Sequence, residues 1–219
     1  TACSSSAIAI SQALDLITLG RAEVALAGGA EGLCRLTCAG FSALRATAPD
    51  YCRPFDLERK GLNLGEGAAV LVLESEEHAR RRGARVYAEL RGAGLSCDAH
   101  HMTAPHPEGA GALRAMRAAL RDARLDPDAI GYINAHGTGT PHNDAAESAA
   151  VRALLGPRAA QVPISSIKSM VGHTLGAAGA IEAVAAVLAL VDEALPPTVN
   201  LQNPDPAFGL DFITGPARA

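Results

Sequence analysis

Three short segments hold residue types that could do chemistry together. The first, Thr1-Ala2-Cys3-Ser4-Ser5-Ser6, places a cysteine just ahead of an apolar stretch with helical character. At a helix start, free N–H groups and the macrodipole favour negative charge, which lowers the cost of a thiolate. The same N–H groups can stabilise an oxyanion on an acylated sulfur. Cys3 also reads as a small buried hydrophobe, the commoner fate of a cysteine, and the loop alone leans slightly that way. The second segment is His136-Gly137-Thr138-Gly139-Thr140. Its glycines allow a ligand to approach the backbone, and its hydroxyls can bond an amide-bearing ligand. A phosphate cradle is the weaker alternative, since no lysine follows the glycines. A loop histidine satisfied by the backbone is an equal reading of His136. The third segment runs from Lys168 to His173, a cation and an imidazole five residues apart after a strand.

Other groups carry less. Ser165-Ser166-Ile167-Lys168 matches the Ser-x-x-Lys of penicillin-binding enzymes, but that motif opens a helix and its Ser-Asp-Asn and Lys-Thr-Gly companions are missing. His100, His101 and His106 have only Asp98 as an acidic neighbour, which is thin for a metal set. Asp144 and Glu147, near His142, read as a solvated or capping face at a helix start. Cys34 and Cys38 lack the partners of a zinc set and read as buried or partly buried thiols.

The elements that must position these segments alternate between strand and helix. Residues 4 to 19 form a largely apolar helix that Gly20 ends, followed by a strand from Glu23 toward Gly28-Gly29. Residues 68 to 74 are a continuous aliphatic run, expected as a strand covered on both faces. A charged helical piece follows at 75 to 82, and Arg85 to Gly92 is a further strand candidate. Helices are expected at 111–124, 143–155 and about 175–192, the last a buried core helix stopped by Pro196-Pro197. Strands are expected at 130–134 and 162–167, a loop from Ser169 to His173, and an irregular tail. The pattern predicts an α/β fold with covered sheets.

Composition narrows the classes. The 219 residues are 48% hydrophobic, enough for a sizeable core, with a net charge of −4 and 3% aromatics. A nucleic-acid binder wants basic patches and stacking rings, and this chain offers neither. Five cysteines, an odd number in a chain of this size, do not suggest a disulfide framework. The apolar run from Ala177 to Val191 is interrupted by Glu182 and is short for a bilayer span. No signal peptide is visible, so a reducing cytoplasm is expected.

Taken together and in order, Thr-Ala-Cys-Ser-Ser-Ser, His-Gly-Thr-Gly-Thr and Lys-Ser-x-x-Gly-His-x-x-Gly-Ala-Ala-Gly resemble the β-ketoacyl synthases, the condensing enzymes of fatty-acid and polyketide synthesis. Arg53-Pro-Phe-Asp56, Gly65-Glu-Gly67, Asp98-Ala-His-His-Met-Thr103 and Pro196-Pro-Thr-Val-Asn200 add to the likeness, and the elongating synthase II branch is the most similar. The resemblance implies a thiolase-like layered α-β-α-β-α fold, with about 1–95 closing its first half and about 96–219 forming most of its second. It implies Cys3 as the acyl-accepting nucleophile, flanked by His136 and His173. Lys168 would hold the His173 side of the site, supported by Glu182. Thr138 and Thr140 would contact the phosphopantetheine arm of an acyl carrier protein. That arm arrives with the substrate, so no metal or separate cofactor is implied. The expected partners are the carrier protein and a second protomer, in a homodimer or a ketosynthase-type heterodimer, with no nucleic acid and no membrane span. Thiolases show a Cys/His/Cys set and chain-initiating synthases Cys/His/Asn; His173 points to the decarboxylating set. Alternatives are a Cys/His thioester hydrolase and a partner subunit of a heterodimeric synthase. Set beside the family, the chain lacks the strands upstream of the nucleophile and the glycine-rich Phe loop downstream, so it is expected to be a piece of a longer chain that would aggregate if made alone.

Overall fold

A computed structural model describes all of residues 1–219. One turn of 3-10 helix, Ala2–Ser4, leads into α1 (Ser5–Thr18). Gly20 stops α1 at φ +67°, with its N–H on Ile17 O and the Arg21 N–H on Leu16 O. This paired arrangement satisfies the last carbonyls and favours glycine at the left-handed position. The chain then enters β1 (Val24–Glu31), α2 (Arg35–Ala43) and β2 (Gly67–Glu74), and β1 and β2 pair antiparallel from Val24↔Glu74 to Glu31↔Gly67. Ser75 caps α3 (Glu76–Arg81) by accepting the His78 N–H.

The second part runs through α4 (Ala110–Ala123), β3 (Ile133–Asn134), α5 (Pro141–Leu155), β4 (Pro163–Ser165), α6 (Lys168–Val171), α7 (Ala178–Asp192) and β5 (Asp211–Phe212). Strands β3, β4 and β5 form a parallel sheet in that order. Its core gathers Phe55, Val151, Leu155, Ile164, Phe208 and Phe212. A second core joins Ile10 and Ala13 of α1, Ala27 of β1 and Ala180 of α7. Helix α7 therefore leaves its own sheet and packs against α1 and the β1–β2 pair, drawing the two parts together. Gly29 marks how close this contact is: a Cβ there would lie 2.7 Å from Gly176 O and 2.8 Å from Ser6 Cβ. Real Cβ atoms do not approach that closely, so only glycine fits between the two helix starts.

Several expectations need correction. The β2 run is covered on one face only. Ala69, Leu71 and Leu73 turn toward α1 and α7, while Val70 and Val72 are more than 60% exposed. Both helices lie on the same side of the pair, so continuous hydrophobicity did not signal burial on both faces. Residues 85–92 form no strand, because no neighbour supplies a ladder; Gly92 instead presses against the backbone of α4 at Ala119 and Ala123. The two strands expected at 130–134 and 162–167 shrink to two and three residues. Helix α7 ends at Asp192, where Glu193 takes a left-handed φ of +53° before either proline, and Leu188 and Leu190 are exposed rather than buried. The stretch Leu175–Asp192 is long and apolar enough to cross a membrane by length and composition; its Glu182 instead reaches inward to a buried lysine. Cys34 and Cys38 are exposed. Helix α2 and strand β5 had no clear periodic signal and were not anticipated.

Candidate active site

Cys3 sits half-buried in the 3-10 turn ahead of α1. Its position is fixed from behind. The Ser6 hydroxyl accepts the Ala180 N–H of α7 at 3.0 Å, and Glu31, at the end of β1, accepts the Gly176 N–H at 3.0 Å. His173 follows the short helix α6. Its backbone is pinned on both sides, N–H to Asn63 O at 2.7 Å and C=O from Gly65 N–H at 3.0 Å. His136 follows β3, at the end of the parallel sheet where ligand sites gather in α/β folds. Segments more than 130 residues apart in sequence thus meet: the Cys3 sulfur and a ring nitrogen from each of His136 and His173 lie within 4.8 Å of one another. The two imidazoles stand edge to face, with centroids 5.2 Å apart.

The tautomers of both rings follow from their neighbours. His173 Nδ1 accepts the Leu175 N–H at 3.2 Å. His136 Nδ1 lies 3.2 Å from Lys168 Nζ, and an ammonium only donates. With Nδ1 accepting in each ring, the proton of each neutral imidazole sits on Nε2. Both rings stay neutral. Burial, and then the Lys168 charge, depress His173 to about 3. His136 lies well below the usual imidazole value through burial, Lys168 and His173, in that order. A thiol beside two histidines has the ligand types of a zinc set, but ligation at Nε2 would need both protons moved. The tautomers present suit donation of two N–H bonds to an oxygen.

Lys168 is placed differently from the expectation. Its side chain is 2% exposed and donates to His136 O at 2.6 Å, not to His173, while forming an ion pair with Glu182 of α7. Lys168 thus orients the His136 side of the site, and its charge acts on both rings. It also opens a helical turn, as the Ser-x-x-Lys motif would, but Ser165 is bonded to Tyr132 OH at 2.8 Å rather than to the lysine.

The loop after His136 is held by two carboxylates that sequence reasoning had read as a solvated or capping face. They do cap, but from the interior. Glu147 accepts the His136 and Gly137 N–H groups at 2.7 and 2.8 Å. Asp144, fully buried, accepts those of Thr138 and Gly139 at 3.1 and 3.2 Å, and that of Phe55 at 2.8 Å. Four consecutive loop amides are therefore bound by acids one turn apart on α5. The available signal was that spacing, Asp144 and Glu147 at i and i+3 directly after a Gly-Thr-Gly-Thr loop. Thr138 and Thr140 bond to each other through their hydroxyls at 2.8 Å.

Cys3 corrects a further expectation. Burial lifts its thiol above the ordinary value, although Lys168 and the local backbone pull the other way. Cys34 is exposed and lowered, because the Thr37 hydroxyl and backbone stabilise its thiolate. Limited alkylation at mildly acidic pH should therefore label Cys34 before Cys3, reversing the order that a helix start alone suggests. Peptide mapping by mass spectrometry reads this directly; Cys3 labelled first would mean that the local field outweighs burial.

The parallel sheet and the antiparallel pair, with a cysteine and two imidazoles brought together between them, form a thiolase-like fold, as the solved structures that superpose on it show. The model of the beta-ketoacyl synthase N-terminal domain matches residues 1–79, and that of the C-terminal domain matches residues 87–202. The chain belongs to the beta-ketoacyl synthase family. It is 46% identical to the 3-oxoacyl-[acyl-carrier-protein] synthase 2 of Synechocystis sp., covering all of this chain and 54% of that protein. Among solved structures, the ishigamide ketosynthase/chain length factor superposes over the whole chain and 53% of its own, with a TM-score of 0.95 and 44% identity. The AntDE ketosynthase, solved with its type II acyl-carrier protein AntF, covers 99% of this chain and 55% of its own, with a TM-score of 0.96 and 42% identity. The chain spans about half the length of the relatives it matches.

Proposed function

We propose that this chain carries the catalytic centre of a decarboxylating carbon–carbon condensing enzyme, acting on acyl and malonyl-type thioesters in fatty-acid or polyketide synthesis. The observation that carries this reading is the approach of Cys3, His136 and His173 to within 4.8 Å, with both rings neutral. In the first half-reaction the Cys3 sulfur attacks an acyl thioester. The proton leaving Cys3 balances the thiolate released, giving acyl-Cys3 and a free thiol. In the second, a malonyl-type thioester loses carbon dioxide, and the Nε2–H groups of His136 and His173 stabilise its enolate oxygen. The enolate carbon attacks the acyl-Cys3 carbonyl, the C–S bond breaks, and the sulfur takes up a proton as the β-ketoacyl thioester departs.

Lys168 acts in this scheme through His136, and Glu182 through Lys168. Thr138 and Thr140 stand on the loop proposed to meet the phosphopantetheine arm of a carrier protein, and that arm is the only cofactor-like group the reading requires. A carrier-protein partner is supported by the AntDE–AntF complex of a relative, and a second protomer of the same or a related chain by the ketosynthase/chain length factor relative. A cytoplasmic location belongs to the same reading. A thioester hydrolase would need one histidine as base; two protonated Nε2 donors favour condensation instead. A non-catalytic partner subunit would not need the cysteine. The test is intact-protein mass spectrometry of the full-length protein after incubation with an acyl-carrier thioester. An added mass equal to the acyl group, located on Cys3 by peptide mapping and missing in Cys3→Ala, is the expected result. Acylation elsewhere, or none, would remove the nucleophile assignment.

A further inference from the structure

Arg59 lies outside the catalytic group, in the irregular segment between Phe55 and Leu62, yet its side chain is only 10% exposed. Its guanidinium ties three parts of the chain together. Nη1 donates to Asp56 O at 2.9 Å and Asp205 Oδ2 at 3.0 Å, and Nη2 to Pro141 O at 3.4 Å at the start of α5. The plane rests over the Phe208 ring, 4.7 Å from its centroid. The remaining donor, Nε, is buried without a hydrogen-bond partner and stands 3.9 Å from Asp144 Oδ2.

Asp144 in turn spends its whole carboxyl on acceptance. Oδ1 takes the Thr138 and Gly139 N–H groups and the Asn143 amide at 3.1 Å; Oδ2 takes the Phe55 N–H. A protonated carboxyl would bring an O–H into this set of donors with nothing to receive it. The loop depends on these bonds. Gly139 holds φ at +76° and packs so tightly that a Cβ would lie 2.7 Å from Gly61 O and 2.9 Å from Cys52 Sγ. We infer that Arg59 is a positioning residue for the loop His136–Thr140: its buried guanidinium adds to the Phe55 N–H and the Asn143 amide in favouring the ionised form of Asp144, and Asp144 then holds Thr138 and Gly139 in the shape that meets the substrate's pantetheine arm. The inference rests on the proposed reading of this loop as the arm-contacting one.

The groups facing Asp144 decide the sign of its pH dependence. Glu147, on the same helix, opposes its charge, Arg59 favours it, and the Cys52 thiol lies alongside; Asp56 and Asp205 flank the far side of Arg59, and Lys168 faces Glu147. Burial dominates and lifts Asp144 to about 6. The charged form is the one that binds the loop, so the loop's hold is present above that value and lost as pH falls through it. Without Arg59 the carboxyl shifts further up, and the loss moves up with it.

The experiment uses the full-length protein that contains this chain, with Arg59→Met, Arg59→Gln as a second neutral variant should the first not fold, and Arg59→Lys as the rescue. Two quantities are followed from pH 5.5 to 8.5: backbone hydrogen exchange of residues 136–140, and KM against kcat for an acyl-pantetheine thioester. At pH 6.5 the neutral variants should exchange this segment faster and raise KM about twofold, in step with the smaller ionised fraction of Asp144. Both changes should fade by pH 8.5, and Arg59→Lys should restore most of them. Profiles that superimpose on the parent's, or that are displaced equally at every pH, would overturn the proposal, the second by showing a packing role alone. Faster exchange without a KM change would overturn the contact with the arm while keeping the hold on the loop. If the parent protein turned over no thioester, the condensing function would fail by itself, and the exchange profiles would still decide the role of Arg59.

Discussion

Replacing His173 with alanine in the full-length protein should lower decarboxylation of a malonyl-type thioester by about 10²–10³-fold, the usual cost of one deleted oxyanion donor, while leaving measurable acylation of Cys3. The physical basis is that His173 enters the site as a neutral ring whose Nδ1 is occupied by the Leu175 N–H, so that Nε2 is committed to donation. With a depressed value near 3, it keeps this form through the whole working range and its loss cannot be mimicked by mild acid. The same substitution at His136 should have an effect of similar size, with an added contribution from Lys168, which loses its Nδ1 partner. Single-turnover measurement of carbon dioxide release, set beside mass-spectrometric acylation, separates the half-reactions. A variant that decarboxylates at the parent rate would show that its ring is structural.

The second large effect is on stability. Lys168→Met removes the charge that faces Glu182 and leaves that carboxylate, whose side chain is 17% exposed, without its partner. Breaking one side of a buried ion pair costs about 3–5 kcal/mol. For a chain of this size that corresponds to roughly 6–20 °C in melting temperature. The cost should fall sharply in Lys168→Met/Glu182→Leu, because neither charge is then stranded. Burial and the neighbouring Glu147 already push Glu182 upward against the pull of Lys168, so the single variant should also take up a proton on folding near neutral pH. A single variant that melts with the parent would show that the pair orients His136 without contributing to stability. Calorimetry of the two variants against the parent reads both outcomes.

Much of this site was legible in the amino-acid sequence, and the reason is local. The turn at Gly20, the charged helical piece after Glu74 and the alternation of strand and helix are decided by contacts within four or five residues, which sequence periodicity samples directly. The three loops stood out because each adjoins an element start or end, but their residues alone left Cys3 and His136 open; the ordered resemblance to the β-ketoacyl synthases is what pointed to Cys3, His136 and His173 as one site. The helix at 143–155 was anticipated, but the role of Asp144 and Glu147 on it was not. An acid in the first turn of a helix is equally at home in water or turned inward against a loop, and only packing chooses.

What the sequence by itself determined was the inventory: a nucleophile ahead of a helix, two imidazoles, one lysine, and the elements that carry them. The tertiary structure decided how they act on one another. It placed Lys168 against His136 rather than His173, because α6 turns its first residue toward the end of β3. Burial raised the Cys3 thiol, against the helix-start effect that local reasoning counted, and it neutralised both histidines. Packing on a single side left Val70 and Val72 exposed on a strand whose composition suggested cover on both. These depend on desolvation, on one-sided packing and on charges brought together across long stretches of chain, such as the 32 residues between Lys168 and His136. Nothing within a helical turn or a strand pair encodes such distances; they exist only once α7 has packed across α1 and β1 and closed the site.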